Sequence, residues 1–463
     1  MNHIRYILIL KLIAAIFLEL WRIGQAPVEE WDEARRGINA MGMVAHSDFF
    51  SYHFVDQADL FNTKPPLTVW LIALNFKIFG VTAFALRFHS VIAIFFFLIY
   101  MVKIILLYRD ELFAVIFMGI LISVKGIIGF HVGRTGDTDS LLLLFLTGFV
   151  YYFLKYWDFD NRRSVYFSAI FFGLAFFTKG VASFIILPSV LAYMLITKRK
   201  RFFNADLIFS VLIVLTFMIS WGLINQLGNH PAGHGSDLWY RSFSNDLFRR
   251  LTDRSFEAGY DPFHIIHVLD MNLNIWNYLL YIGGIIGLYR LILLKKTGEL
   301  LKDNLLLISL LIGAGYFIIL TISINKHRWY LAPALPFIII LIAEFILFIR
   351  KRYSKILVFV FIGIALLTLK RFIELNDQNT SARDFFAKFE TSISGAEKLY
   401  VNESVSQDLI FDLIKYNYKN AVLVKEFPPD DSNFLYFGPV KENAQADILG
   451  CLGEDENLVL MVK

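Results

Sequence analysis

Unbroken apolar runs alternate with short polar connections along most of this chain. Runs close to the roughly 20 residues that a membrane-crossing helix requires occupy 6–23, 88–107, 112–130, 140–157, 164–179, 181–197, 205–225, 273–294, 304–323, 331–349 and 354–370. One further run, Leu67 to Phe79, is too short to be a secure span. This pattern predicts an all-α polytopic membrane protein with about 11 spans, filling residues 1–370. After Lys370 the periodicity changes. Ser381 to Ser392 and Ser406 to Tyr416 read as amphipathic helices with serine near their starts. Lys398 to Asn402, Ala421 to Phe427, Phe434 to Phe437 and Asn457 to Val462 read as strands. Residues 371–463 are therefore expected to form a small soluble α/β domain outside the membrane.

Charge sets the orientation. Arg109, Arg162 with Arg163, Lys198 to Arg201, Lys295 with Lys296, and Arg350 to Arg352 fall at alternate connections and are expected to be cytoplasmic. That assignment holds only if Leu67 to Phe79 is a re-entrant or interfacial helix. The N-terminus is then inside, and the loop after the first span, Lys64, Arg87, residues 134–139, the long loop 226–272, Lys326 to Tyr330 and the C-terminal domain share the outer face. Composition agrees with the class: of 463 residues 57% are hydrophobic and 18% charged, with a net charge of +4 and a mean hydropathy of +0.57. So small a positive balance, confined to span ends, does not read as a nucleic-acid surface. The single cysteine, Cys451, excludes an intrachain disulfide and a cysteine metal site. No small-residue cleavage site follows the run Tyr6 to Leu20, so it reads as a retained span.

Three charged stretches then converge on one face: Trp31-Asp32-Glu33-Ala34-Arg35-Arg36, Asn62-Thr63-Lys64-Pro65-Pro66, and Gly133-Arg134-Thr135-Gly136-Asp137-Thr138-Asp139. Each has a plain alternative as a solvated loop, the start of a membrane helix or a helix cap. Together they can support transfer of a sugar from a lipid phosphate. A carboxylate such as Asp32, with Glu33 beside it, can take the acceptor proton. Lys64 and Arg134 can stabilise the departing phosphate. Asp137 and Asp139 offer hard oxygen ligands for a divalent cation, or could orient the arginine and bind sugar hydroxyls. Lys125 is a candidate cavity-facing charge. The histidines of the long loop, His230, His234, His264 and His267, match no tight metal-ligand spacing and read as loop residues.

The succession of these stretches with Arg87-Phe88-His89-Ser90, Thr178-Lys179-Gly180 and Lys326-His327-Arg328-Trp329-Tyr330 up to Pro336 resembles the GT-C glycosyltransferases of the protein O-mannosyltransferase and lipid A aminoarabinose transferase superfamily. The resemblance covers about residues 1–350. It implies a GT-C-like fold with external juxtamembrane helices, and a polyprenyl-phosphate-linked sugar donor. It also implies a lipid, glycan or protein acceptor at the outer face of the bacterial cytoplasmic membrane, and a catalytic aspartate in the first external loop, which here is Asp32. Lys64 would contact the lipid phosphate, with Arg87, Arg134, Lys326 and Tyr330 also on substrate. Thr63 stands where aminoarabinose transferases tend to have glutamate, and Ala258 to Asp261 precede Pro262-Phe263 without the histidine of their zinc site. Sugar and acceptor are left open by that departure.

The chain is thus expected to be an integral-membrane glycosyltransferase with no certain cofactor beyond the candidate divalent cation and no nucleic-acid partner. The rival readings are a lipid-linked sugar transporter or flippase, against which the spans show no internal repeat or matched pair of broken helices, and a non-catalytic subunit of the same fold.

Overall fold

In a computed structural model, the structure describes the chain apart from residues 1, 130, 198–203, 229–263, 293–296, 324–326, 352, 354, 375–380, 426, 428–433, 440–446, 453–457 and 463. The calls on His230, His234 and Lys326 lie outside the described residues. Long apolar helices dominate: α1 (Asn2–Leu20), α4 (Ala83–Tyr108), α5 (Glu111–Ser123), α6 (Asp139–Trp157), α7 (Ser164–Lys179), α8 (Leu187–Thr197) and α9 (Ala205–Leu227), then α11 (Trp276–Ile292), α13 (Asn304–Ile322), α14 (Leu335–Arg350) and α15 (Ile356–Glu374). Between α1 and α4 lie α2 (Asp32–His46), a two-stranded hairpin of β1 (His53–Phe54) and β2 (Gln57–Ala58), and α3 (Leu67–Phe79). Short helices α10 (His264–Leu273) and α12 (Thr297–Lys302) flank α11. Several starts follow from capping side chains. Thr82, Asp110, Asn204 and Asp303 each accept a backbone N–H three residues on, satisfying donors that a helix leaves open.

Polar contacts sort the helix ends into two groups. At one end Arg109 pairs with Asp303 and Glu344, the hydroxyls of Tyr108 and Tyr193 both donate to Asp158, Trp157 donates to Thr197, and Arg162 pairs with Asp206. These are the connections expected from the basic clusters to share a face. The charged stretches containing Asp32, Lys64 and Asp137 meet at the other end. α3 begins just after Lys64 and ends just before the Thr82 cap and Arg87, which bonds Glu33. Both its ends therefore lie with the site, and its 13 residues span about 20 Å, short of a bilayer core of about 30 Å. α3 instead packs against α2 and α4.

One expected span is corrected. The run 112–130 is helical only to Ser123, and the backbone from Val124 to Thr138 is irregular yet, apart from half-buried Lys125, buried wherever described. Such backbone is tolerable at membrane depth only where protein supplies its hydrogen bonds. Here the N–H groups of Lys125 and Gly126 donate to the Asn272 carbonyl, and the Trp276 indole donates to Ser123. Gly133 is required for close approach, since a Cβ there would sit 2.3 Å from a Glu19 carboxylate oxygen.

The C-terminal segment forms α16 (Ser381–Lys388), α17 (Glu390–Gly395), α18 (Gln407–Ile414) and a sheet of β3 (Lys398–Asn402), β4 (Ala421–Val424), β5 (Phe434–Pro439), β6 (Asp447–Leu452) and β7 (Leu458–Val462). Sheet order is β4-β3-β5-β7-β6; β3 runs parallel to β4 and β5, and β7 antiparallel to β5 and β6. β6, with a bulge at Ile448/Gly450, is not readable as a strand from its sequence. The core of this unit is continuous with the external helices: Ala34, Ile38, Met41, Ile72, Phe76 and Leu86 share a buried cluster with Phe386, Leu399, Phe411 and Phe437. Single cysteines at Phe61 and Gly80, in a Cys451→Ser background, are expected to react with an impermeant thiol reagent from the same side, and one at Phe159 from the opposite side. Labelling of Phe61→Cys and Gly80→Cys from opposite sides would mean that α3 crosses.

Candidate active site

The site rests on a buried ion pair. Arg87 on α4 and Glu33 in the first turn of α2 are each 1% exposed. Arg87 Nε lies 2.6 Å from Glu33 Oε1, and Nη2 lies 2.7 Å from Oε2. The remaining guanidinium donors go to the carbonyls of Ile23, Ala26 and Pro27, and Glu33 also accepts from the backbone N–H of Gly136 (2.7 Å) and Glu29 (2.8 Å). The structure places Glu33, expected in the chemistry, and Arg87, expected on substrate, in this one ion pair, which ties the site's backbone together. Their hydrogen-bonding capacity is spent and neither is open to a ligand.

Arg134, expected on substrate, is placed against the end of α1. It is buried, with a φ of 59°, and its Nη1 donates to the carbonyls of Leu18 and Glu19 at the end of α1, groups that a helix C-terminus leaves open. That contact points the guanidinium at α1.

Asp32, at the start of α2, keeps a half-exposed carboxylate. Arg36, one turn on, lies 3.5 Å from Asp32 Oδ1 and 3.0 Å from Asp137 Oδ1. Asp137 is buried, and its Oδ2 is 2.7 Å from His131 Nδ1. Burial works to raise the Asp137 carboxyl, but Arg36 and the His131 hydrogen bond outweigh it and hold the group far below the usual carboxylate range. Burial opposes charge on His131 too, and the hydrogen bond to Asp137 prevails, so its pKa is raised. The ring of His131 stacks on Trp329 at 3.7 Å, and His327 stacks on Trp329 at 4.5 Å. Glu29, 3.9 Å from His131 Nε2, is pushed up to about 8 by burial and by the neighbouring Glu33.

Asp139 has a different partner. Both of its oxygens bond Lys179 Nζ, at 2.7 and 2.6 Å, with both residues buried. Lys179 lies 5.5 Å from the Tyr330 ring centre. These three residues and Lys64 line a cleft of about 870 Å³, counting its open mouth, whose walls also include Leu142, Val181, Ile185, Ile319 and Leu320. Tyr52 donates to the Lys64 carbonyl at 2.9 Å, fixing the backbone that presents its ammonium. The ligand atoms of Asp32, His131 and Asp137 lie within 4.8 Å of one another. The structure therefore brings together Asp32, Asp137, Asp139, Lys64 and Tyr330. Sequence reasoning passed over His131, Glu29 and Lys179; a lysine at the end of an apolar run, in Thr178-Lys179-Gly180, was the available signal for the last.

Residues 63–223 match the family model of dolichyl-phosphate-mannose-protein mannosyltransferases. Over nearly its whole length the chain superposes on ArnT from Cupriavidus metallidurans bound to undecaprenyl phosphate, with a TM-score of 0.73 and 12% identity, covering 98% of this chain and 97% of that one. The oligosaccharyltransferase of Archaeoglobus fulgidus in the apo form matches at a TM-score of 0.55 and 14% identity, over 90% of this chain and 64% of the other. An uncharacterized protein of Aquifex aeolicus (strain VF5) is 22% identical over 365 residues, 78% of this chain and 68% of the relative. The architecture is that of ArnT and, at a lower TM-score, of the archaeal oligosaccharyltransferase, so the resemblance carried by the short motifs holds at the level of the fold.

Replacing Arg87 by Met leaves Glu33 buried and unpaired and is expected to cost about 3–5 kcal/mol, read as a lowered thermal midpoint in detergent. The raised Glu29 carboxyl gives a pH signature with a definite sign. Its folded pKa of about 8 exceeds the ordinary glutamate value of 4.5, so its contribution to stability is full at low pH and lost as pH rises between them. Glu29→Gln should flatten the pH dependence of the thermal midpoint across that window; an unchanged profile would contradict this reading.

Proposed function

We propose that the protein moves a sugar from a polyprenyl-phosphate-linked donor to a lipid, glycan or protein acceptor by direct displacement at the anomeric carbon, on the outer face of the bacterial cytoplasmic membrane. The observation that carries this reading is the cleft. Its mostly apolar walls also carry Lys64, Lys179, Asp139 and Tyr330, and Asp137, two residues before Asp139, shares Arg36 with the half-exposed Asp32. A prenyl chain suits the apolar walls, and its phosphate suits Lys64 and Lys179. The ammonium groups stabilise charge on the departing phosphate as the glycosidic C–O bond breaks. Asp32 accepts the acceptor proton as the new C–O bond forms. Arg36, fixed between Asp32 and Asp137, orients the base. That ArnT binds undecaprenyl phosphate supports the donor class, and the family model supports glycosyl transfer. Membrane lipids surround the apolar helices on this reading.

The candidate cation moves within the site. Asp139 is engaged by Lys179, so the donors for a divalent ion are Asp32, His131 and Asp137. These residues fit a hard cation, with Arg36 as a competing positive charge at the same carboxylates. When bound, such an ion would add positive charge beside the base. Chelation is expected to lower transfer and added Mn²⁺ to restore it; equal rates with and without chelator would rule the cation out.

The experiment is transfer by purified protein in lipid nanodiscs from a panel of labelled polyprenyl-phosphate sugars. Direct displacement predicts a product of inverted anomeric configuration, and Lys64→Met should lose about 10²-fold in rate with the fold intact. A product of retained configuration would exclude direct displacement.

A further inference from the structure

We propose that the C-terminal domain is a clamp that sets the position of the base-bearing helix α2, with Gln407 as the positioning residue; the inference rests on Asp32 acting as base. Contacts made by four of the domain's residues carry it. With its amide turned so that both ends find partners, the Gln407 nitrogen donates to the Trp31 carbonyl (3.1 Å) and its oxygen accepts from Arg35 Nη1 (3.2 Å). Those two residues flank Asp32. Phe411, one turn along α18, sits on α2 where it has no side chain: a Cβ at Gly37 would lie 2.6 Å from the Phe411 ring, which also meets Phe76. Tyr418 donates to the Val55 carbonyl (2.6 Å), and the Leu423 N–H donates to Asp56 (3.1 Å), tying the same domain to the hairpin that follows α2.

The backbone at Trp31 shows why an external grip matters. Its φ of 68° and ψ of −98° lie where residues other than glycine rarely stay without support, and no side chain caps the helix there. The Trp31 carbonyl accepts from the Arg35 N–H of the first turn and from Gln407. Arg35 is held on its other side by Asp59 at 2.8 and 2.7 Å and by the rings of Phe54 and Phe61. The peptide leading into Asp32 is thus fixed between α18 and the hairpin. Without Gln407 the first turn of α2 keeps its ion pair through Glu33 but loses the bond that fixes the preceding peptide. The carboxylate then samples a wider range of positions, and small displacements of a reacting group are costly.

The test uses the full chain with Gln407→Ala, Phe411→Ala and Phe411→Leu, and with Cys451→Ser on the exposed β6 strand as control. Hydrogen exchange over residues 31–36 reads the clamp without requiring activity. Gln407→Ala is expected to raise exchange there while α18 and α4 stay protected, and to lower kcat about tenfold or more with donor affinity unchanged. Phe411→Leu should recover most of what Phe411→Ala loses. Unchanged exchange at residues 31–36 in Gln407→Ala would overturn the clamp, as would increased exchange with full kcat. A wild type that transfers none of the donors would instead overturn the transferase reading, and the proposal that depends on it.

Discussion

The structure depends first on one buried ion pair. Arg87 and Glu33 join the α1–α2 loop, the start of α2, the start of α4 and the irregular segment before α6, four pieces of chain with little other reason to meet. Two charges taken out of water are tolerated only when every donor and acceptor finds a partner, and this requirement dictates where the surrounding backbone goes. The carbonyls of Ile23, Ala26 and Pro27 and the N–H groups of Glu29 and Gly136 are placed by it. Asp32 precedes Glu33 in the same turn, so the inward grip on one acid helps determine where the other stands.

Around that pair, charge is divided by purpose. Asp137 is satisfied by Arg36, His131 and its own neighbour Thr138, and Asp139 by Lys179. Each of these two acids thus has a cation beside it, while Asp32, half-exposed, lies 3.5 Å from Arg36. A carboxylate left partly solvated among satisfied ones is suited to exchanging a proton. Lys64 and Lys179 line the same cleft as the apolar side chains of Leu142, Val181, Ile185, Ile319 and Leu320. The C-terminal domain adds its core to that of α2 and α3 instead of standing apart, so the external layer behaves as one packed unit.

Much of this was legible in the sequence. Runs of apolar residues and the alternation of basic clusters gave the helices and the need for α3 to stay on one side, and the short motifs at Asp32, Lys64 and Asp137 pointed to one face. The tasks of individual charges were not legible. Glu33 beside Asp32, and Arg87 and Arg134 at the feet of apolar runs, look like site residues because a buried structural charge and a substrate-binding charge occupy the same sequence context. Only the tertiary partners separate them: carbonyls of the first helix end for Arg134, a complete hydrogen-bond shell for Arg87. The helical run expected to Phe130 failed for a related reason. Asn272 and Glu19, far away in sequence, take up the space and the hydrogen bonds that make irregular backbone acceptable there.

The central claim is that Asp32 takes the proton while the cleft holds the donor, and it is tested most directly by comparing wild type with Asp32→Asn at matched expression. Donor binding and sugar transfer should be measured separately in the same preparation. The account predicts unchanged affinity for the polyprenyl-phosphate sugar, an unchanged thermal midpoint and transfer reduced by about 10²-fold or more. Transfer at the wild-type rate by Asp32→Asn would contradict it.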